Sequence, residues 1–100
     1  MVYQIIWAPR ALQDLQDIVS YIRRDKPEVA RQFGEKLIAK AESLASMPER
    51  GRIIPKFSNP ALRELLLAPY RIAYRIQESS GTVEIARIWH GARDPEDFAL

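Results

Sequence analysis

The chain has no cysteine in its 100 residues, a single histidine and only four glycines. Without cysteine there is no disulfide, no thiolate ligand and no thiol nucleophile. One histidine cannot build a His-rich metal centre, and no zinc-ligand spacing is present, so neither a metal nor any other cofactor is expected. Long apolar runs are also missing: none approaches the roughly 20 residues that cross a bilayer as a helix. The start, Met1-Val2-Tyr3-Gln4-Ile5, lacks the charged and long apolar stretches of a signal peptide. The expectation is a cytoplasmic protein with no membrane contact.

What is present is ordinary for a folded soluble domain: 47% apolar and 28% charged residues. A chain this short has one core, so residues 1–100 are read as a single domain. The net charge is only +2, but it is unevenly placed. Between residues 50 and 75 stand Arg50, Arg52, Lys56, Arg63, Arg71 and Arg75 against the single acid Glu64. Arginine dominates there, and its planar fork suits carboxylates and phosphates. The plain alternative is a solvated face with no partner.

The periodicities give strand, helix, helix, then three strands. Tyr3 to Trp7 is short, apolar and β-prone. Pro9 suits the first turn of a helix, and Leu12, Leu15, Ile18, Val19 and Ile22 then form one helical face to about Arg23 or Arg24. Asp25-Lys26-Pro27 breaks and restarts the helix. Ala30, Phe33, Leu37, Ala41 and Leu44 form the second stripe, which ends at Met47-Pro48. Gly34 beside Phe33 is expected to serve close packing against the first helix. So short a turn between them makes the helices an antiparallel hairpin.

Residues 49 to 61 read as a loop, with Ile53 and Ile54 anchoring it to the core. Leu62 to Leu67 is a strand and Ala68-Pro69 a turn. Arg71 to Gln77 alternates cleanly, with Ile72, Tyr74 and Ile76 on one side and Arg71, Ala73 and Arg75 on the other. Ser79-Ser80-Gly81 is a hairpin turn before Thr82 to Trp89. That last strand groups Val83, Ile85, Arg87 and Trp89 against Ala86 and Ile88, a mixed pattern that calls for burial on both faces or a bulge. The expected fold is α+β, with a helical hairpin packed on a small, mainly antiparallel sheet. Its other face then holds Arg63, Arg71 and Arg75 as an anion platform.

Several segments resemble the RelE/ParE superfamily of bacterial type II toxin–antitoxin and plasmid-stabilisation toxins. They are residues 7–15 (WAPRALQDL) with Ile18 and Tyr21-Ile22, residues 48–55 (PERGRIIP), 62–65 (LREL), 69–76 (PYRIAYRI) and 88–93 (IWHGAR). The resemblance spans about residue 3 to residue 94. It implies a toxin neutralised by a cognate antitoxin in a hetero-oligomer, and one of two activities.

RelE-like members are endoribonucleases that cut messenger RNA on the ribosome without a metal. That activity would assign Glu64 as base, His90 as acid, and Arg63, Arg71 or Arg93 to the phosphate. The structural alternatives are a salt bridge between Arg63 and Glu64 and a strand-end histidine with a backbone partner. ParE-like members inhibit DNA gyrase, and the ending His90-Gly91-Ala92-Arg93-Asp94 is similar to theirs. It lacks the aromatic residue that RelE-like enzymes usually carry just past the last strand. The lysine-rich cleft of other members is missing too, which tilts the reading towards ParE.

The target-binding candidates are then Arg63, Arg71, Arg75, Arg93 and Asp94, with Phe98 and Leu100 in the tail. An acidic antitoxin with apolar anchors would cover the hairpin and the basic face. Tyr21, Ile38, Phe57, Arg71 and Arg75 are its docking candidates, core packing being the alternative for the first three and above all for Tyr21. An interaction module without toxin activity is the third reading.

Overall fold

The structure, a computed structural model, describes residues 2–92. The elements run β1 (Gln4–Trp7), α1 (Pro9–Arg23), α2 (Pro27–Glu42), β2 (Arg52–Ile53), β3 (Leu62–Leu67), β4 (Tyr70–Gln77) and β5 (Thr82–His90). This is the expected α+β order with one addition, β2. Two residues are too few for an alternation to register in sequence, and the breakers around them disguise the strand.

The sheet order is β1-β5-β4-β3-β2. β1 runs parallel to β5, and every other pairing is antiparallel. The helical hairpin is therefore part of the crossover between parallel partners, which places it over one face.

Both helices open on proline, Pro9 and Pro27, with no side-chain cap. Proline's fixed φ and absent N–H fit the first helical position. Glu28 in the first turn of α2 and Lys40 in its last turn complement the helix dipole. α2 stops at Glu42, short of the expected Met47, because Ser43–Ala45 tighten into a 3-10 turn. The expected stripe of α1 faces the core through Leu15, Ile18 and Ile22, but Ala11 is buried in place of Leu12, which is exposed. Gly34 sits where the helices touch; a Cβ there would come 3.2 Å from Val19 Cγ2. The main core lies between hairpin and sheet and includes Ile18, Leu37, Leu44, Leu65, Ile72 and Tyr74. Ile54 is buried and anchors the long loop, whereas Ile53 is exposed.

β5 carries a bulge. Tyr74 pairs with Ile85 but Ala73 pairs with Arg87, leaving Ala86 unpaired. The extra residue reverses the phase of the strand. Val83 and Ile85 face the helices, and so does Ile88, whereas Trp89 joins Ile54 and Ala73 in a second small cluster on the far face. Trp89 thus does not share a face with Val83 and Ile85. Asp14 of α1 braces the bulge: its Oδ2 accepts the Arg87 Nε–H at 2.8 Å and the Ile88 N–H at 2.9 Å, and its Oδ1 accepts the Arg87 Nη2–H at 3.2 Å.

Candidate functional site

Cross-strand partners share a face, so the register sorts the candidate residues. Glu64 opposes Ala73, Leu66 opposes Arg71, and Arg71 opposes Trp89. Arg52 opposes Glu64, and Arg75 opposes Leu62 and Glu84. All of these lie on the face away from the helices. Arg71 and Arg75 are therefore where the alternation put them.

Arg63 does not join them. It opposes Tyr74, on the helix side of the sheet. Its Nε–H donates to the Pro60 carbonyl at 2.9 Å, and its Nη1 to the Glu49 and Gly51 carbonyls at 3.3 and 3.0 Å. Those bonds tie the loop to β3. Tyr74 completes the tie. Its hydroxyl accepts the Gly51 N–H at 2.8 Å and donates to the Pro48 carbonyl at 2.6 Å. Burial pushes the Tyr74 phenol above its ordinary value of 10.0; the Gly51 N–H and the Arg63 charge oppose that rise.

On the far face the centre is Glu64. Its side chain is 0% exposed, a rare placement for a carboxylate unless it is paired. Arg52 supplies the pair, with Nε and Nη2 both 2.6 Å from Oε2. Arg71 Nη1 stands 3.7 Å from Oε1, and that oxygen has no hydrogen-bond partner among the described residues. The two arginines differ in exposure, 54% for the Arg52 side chain and 25% for Arg71. An apolar floor of Ile54, Ala73 and Trp89 lies beside them, with Phe57 packed against it. Sequence reading missed Arg52. It stood in the basic run, but only the pairing of β2 with β3 brings it to Glu64.

His90 is on the helix side. It opposes Tyr70, which packs in the main core and meets the Phe33 ring at 5.6 Å. The His90 ring lies edge-on to Tyr70, also at 5.6 Å, and Nδ1 accepts the Ala92 N–H at 3.1 Å. A neutral ring so bonded carries its proton on Nε2. With Asp14, Asp17 and Tyr70 it lines a cleft between α1 and the end of β5. The sheet thus separates Glu64 from His90. Of the docking candidates, Tyr21 is exposed at 71% and is not core; Ile38 is exposed, and Phe57 is half-buried. Arg93 and Asp94, with Phe98 and Leu100, lie outside the described residues.

Comparison with known proteins gives one consistent answer about kinship. Residues 5–95 match the family described as the ParE toxin of the type II toxin–antitoxin system parDE. The chain is 42% identical over 91 residues to Toxin RelE2 of Caulobacter vibrioides, covering 90% of this chain and 97% of that one. Among solved structures it is similar to the chromosomal ParDE toxin–antitoxin system of P. aeruginosa, with TM-score 0.74, 22% identity, and 89% and 96% of the two chains covered. It is also similar to a mutant of E. coli toxin RelE in the free state, with TM-score 0.67, 17% identity, and 92% and 86% covered.

Proposed function

The chain belongs to the ParE toxin family, within the RelE/ParE superfamily of type II toxin–antitoxin toxins, and on that premise we propose that it is a toxin that inhibits DNA gyrase by binding and is neutralised by a cognate antitoxin. One observation carries the choice between the two activities of the superfamily. General acid–base cleavage of RNA needs its base and acid to flank one bound phosphodiester, each within hydrogen-bond reach of its reacting oxygen, with no protein layer between them. Glu64 and His90 stand on opposite faces of the sheet. Glu64 is also buried and engaged by Arg52. A binding toxin needs surface and charge, and the far face has both in Arg52, Arg71 and Arg75.

Solved relatives include the RelBE2 toxin–antitoxin complex of Mycobacterium tuberculosis and the intact RelBE complex of E. coli. They support an antitoxin partner for this chain as well. Its docking surface would take in the exposed Tyr21 and Ile38 on the hairpin, together with Arg71 and Arg75. A gyrase target and an antitoxin partner imply action in the bacterial cytoplasm.

The RelE names of the curated relatives favour the alternative, a ribosome-dependent messenger RNA endonuclease. Induced expression in bacterial cells separates the two. Loss of negative supercoiling in a reporter plasmid before any fall in translation supports the gyrase reading, and the reverse order supports the nuclease. Co-expression of an adjacent small acidic reading frame should restore growth in either case. No growth defect at all would leave an interaction module.

A further inference from the structure

β1 stands at one edge of the sheet, and its outer side has no neighbouring strand among the described residues. Alternation fixes what that side offers. The Gln4 N–H donates to the Gly81 carbonyl and the Ala8 N–H to the Ile85 carbonyl, so the backbone groups of the even-numbered residues face β5. Those of Tyr3, Ile5 and Trp7 face outward. Tyr3 is already engaged, its N–H donating to the Ala45 carbonyl at 2.7 Å. Ile5 and Trp7 are left with N–H and carbonyl groups open.

Exposed sheet edges are usually guarded by lysine, proline or a bulge. Gln4-Ile5-Ile6-Trp7 contains neither lysine nor proline, and it pairs with β5 without a break in register. The surface around the edge is apolar as well. Ile6 is exposed on the arginine face, in register with Glu84. Val2 and Met47 are exposed beside the bond between Tyr3 and Ala45, Val2 just before the one and Met47 just beyond the other.

We propose that β1 pairs with β1 of a second copy of this chain, antiparallel about a two-fold axis at Ile6. The edge fits itself in that register. Ile5 faces Trp7 of the second copy, so open groups meet open groups, and each of these residues gives and receives a hydrogen bond across the axis. Tyr3, whose edge Ala45 occupies, comes opposite Pro9 of the second copy. Proline has no N–H to leave unpaired, and at Pro9 the chain turns out of the strand into α1. A straight strand from another protein would run into Ala45 at that point, which favours this chain as its own partner. Ile6 meets its own counterpart as a directly opposed, non-hydrogen-bonded pair, with Cα atoms about 4.5 Å apart. Such a contact is isologous and closes as a dimer. Two five-stranded sheets become one. Arg75 opposes Glu84 and Glu84 is in register with Ile6, so the arginine faces of both copies lie on one continuous surface. The inference rests on neither the gyrase nor the antitoxin reading.

The chain has no cysteine, so Ile6→Cys gives each intact copy a single thiol. In a non-hydrogen-bonded pair the two sulfurs fall within disulfide reach. A buffer of oxidised and reduced glutathione should link this variant into dimers. Leu12→Cys and Leu66→Cys, at comparably exposed sites, should stay largely unlinked at the same concentration. Sedimentation equilibrium of the wild type should show monomer and dimer exchanging with concentration. Ile6→Lys sets two like charges against each other across the axis and should weaken the dimer at least tenfold. Its thermal melt in dilute solution, where both proteins are monomeric, should match the wild type. In hydrogen exchange read by NMR, the Ile5 and Trp7 amides should gain protection as concentration rises. A wild type that stays monomeric at millimolar concentration overturns the inference. So does a dimer in which Ile5 and Trp7 exchange as fast as in the monomer, or one in which Leu66→Cys links as readily as Ile6→Cys.

Discussion

Glu64 and His90 are the two side chains best suited to acid–base chemistry in the C-terminal half of the chain, and the sheet lies between them. Glu64 opposes Ala73 on the arginine face, whereas His90 opposes Tyr70 on the helix face. Each has a local task. Glu64 holds Arg52 and Arg71, and His90 packs edge-on against Tyr70 and accepts the Ala92 N–H.

Replacing Glu64 should therefore be felt first in stability. Glu64→Ala leaves Arg52 and Arg71 facing each other without their carboxylate. Because both arginines reach solvent, the cost should be about 1–3 kcal/mol, below that of breaking a fully buried pair. Urea unfolding of the two proteins measures it. A midpoint within error of the wild type would show that the cluster does not stabilise the fold.

The Asp14–Arg87 pair should matter more. Its side chains are 11% and 12% exposed, and the carboxylate also accepts the Ile88 N–H at the bulge. Asp14→Ala removes the carboxylate that accepts from the Arg87 guanidinium and the Ile88 N–H, with an expected loss of about 2–4 kcal/mol from these charge-assisted hydrogen bonds. For a chain of this size that is a large share of the whole stability. Arg87→Met with Asp14→Leu should recover part of it, since the two charged partners are then replaced together by apolar side chains. Chemical denaturation of the single and double variants checks both statements.

Tyr74 gives a pH signature. Burial raises its pKa in the folded state above the ordinary 10.0. The unfolded chain then loses the phenolic proton first. The stabilisation is complete below about pH 10 and falls as pH rises from there through the folded value. Tyr74→Phe should be about 1–3 kcal/mol less stable at neutral pH, from the lost bonds to Gly51 and Pro48, and should lack this component of alkaline destabilisation. Melting temperature against pH for both proteins tests it. Gly51→Ala should disturb the same joint, since a Cβ would stand 2.5 Å from the Tyr74 hydroxyl and 2.6 Å from the Glu64 carbonyl oxygen.

Arg71→Ala and Arg75→Ala should weaken toxicity while leaving the fold intact. Arg71 makes one long ion contact with Glu64, and Arg75 is half-buried at the margin of the same face. Loss of stability should stay under about 1 kcal/mol for each. Growth after induced expression, read beside a thermal melt, checks the pair. A melt that collapses with either change would assign that arginine to the fold and not to the target.

Much of the architecture was legible in the sequence because local patterns encode it. The proline-started helices, the alternation from Arg71 to Ile76 and the breakers at 79–81 each act within a few residues. The site was less legible because register decides it. A one-residue extra in β5 sends Trp89 to the arginine face and His90 to the helices, and alternation alone showed only that something was irregular there. Arg63 looked like a partner of Arg71, but β3 turns it towards Tyr74 and three backbone carbonyls. Arg52 carried no local signal, since its role comes from a short pairing with a later strand.

A toxin that binds gyrase and a toxin that cuts messenger RNA differ most directly in what they do to each target. Purified gyrase with relaxed plasmid, and a parallel translating extract with messenger RNA mapped by primer extension, test both together. The chain should block supercoiling and leave the RNA intact, and His90→Ala should block supercoiling as well as the wild type does. Ribosome-dependent RNA cuts that vanish in Glu64→Ala or His90→Ala, with supercoiling unaffected, would contradict the gyrase reading.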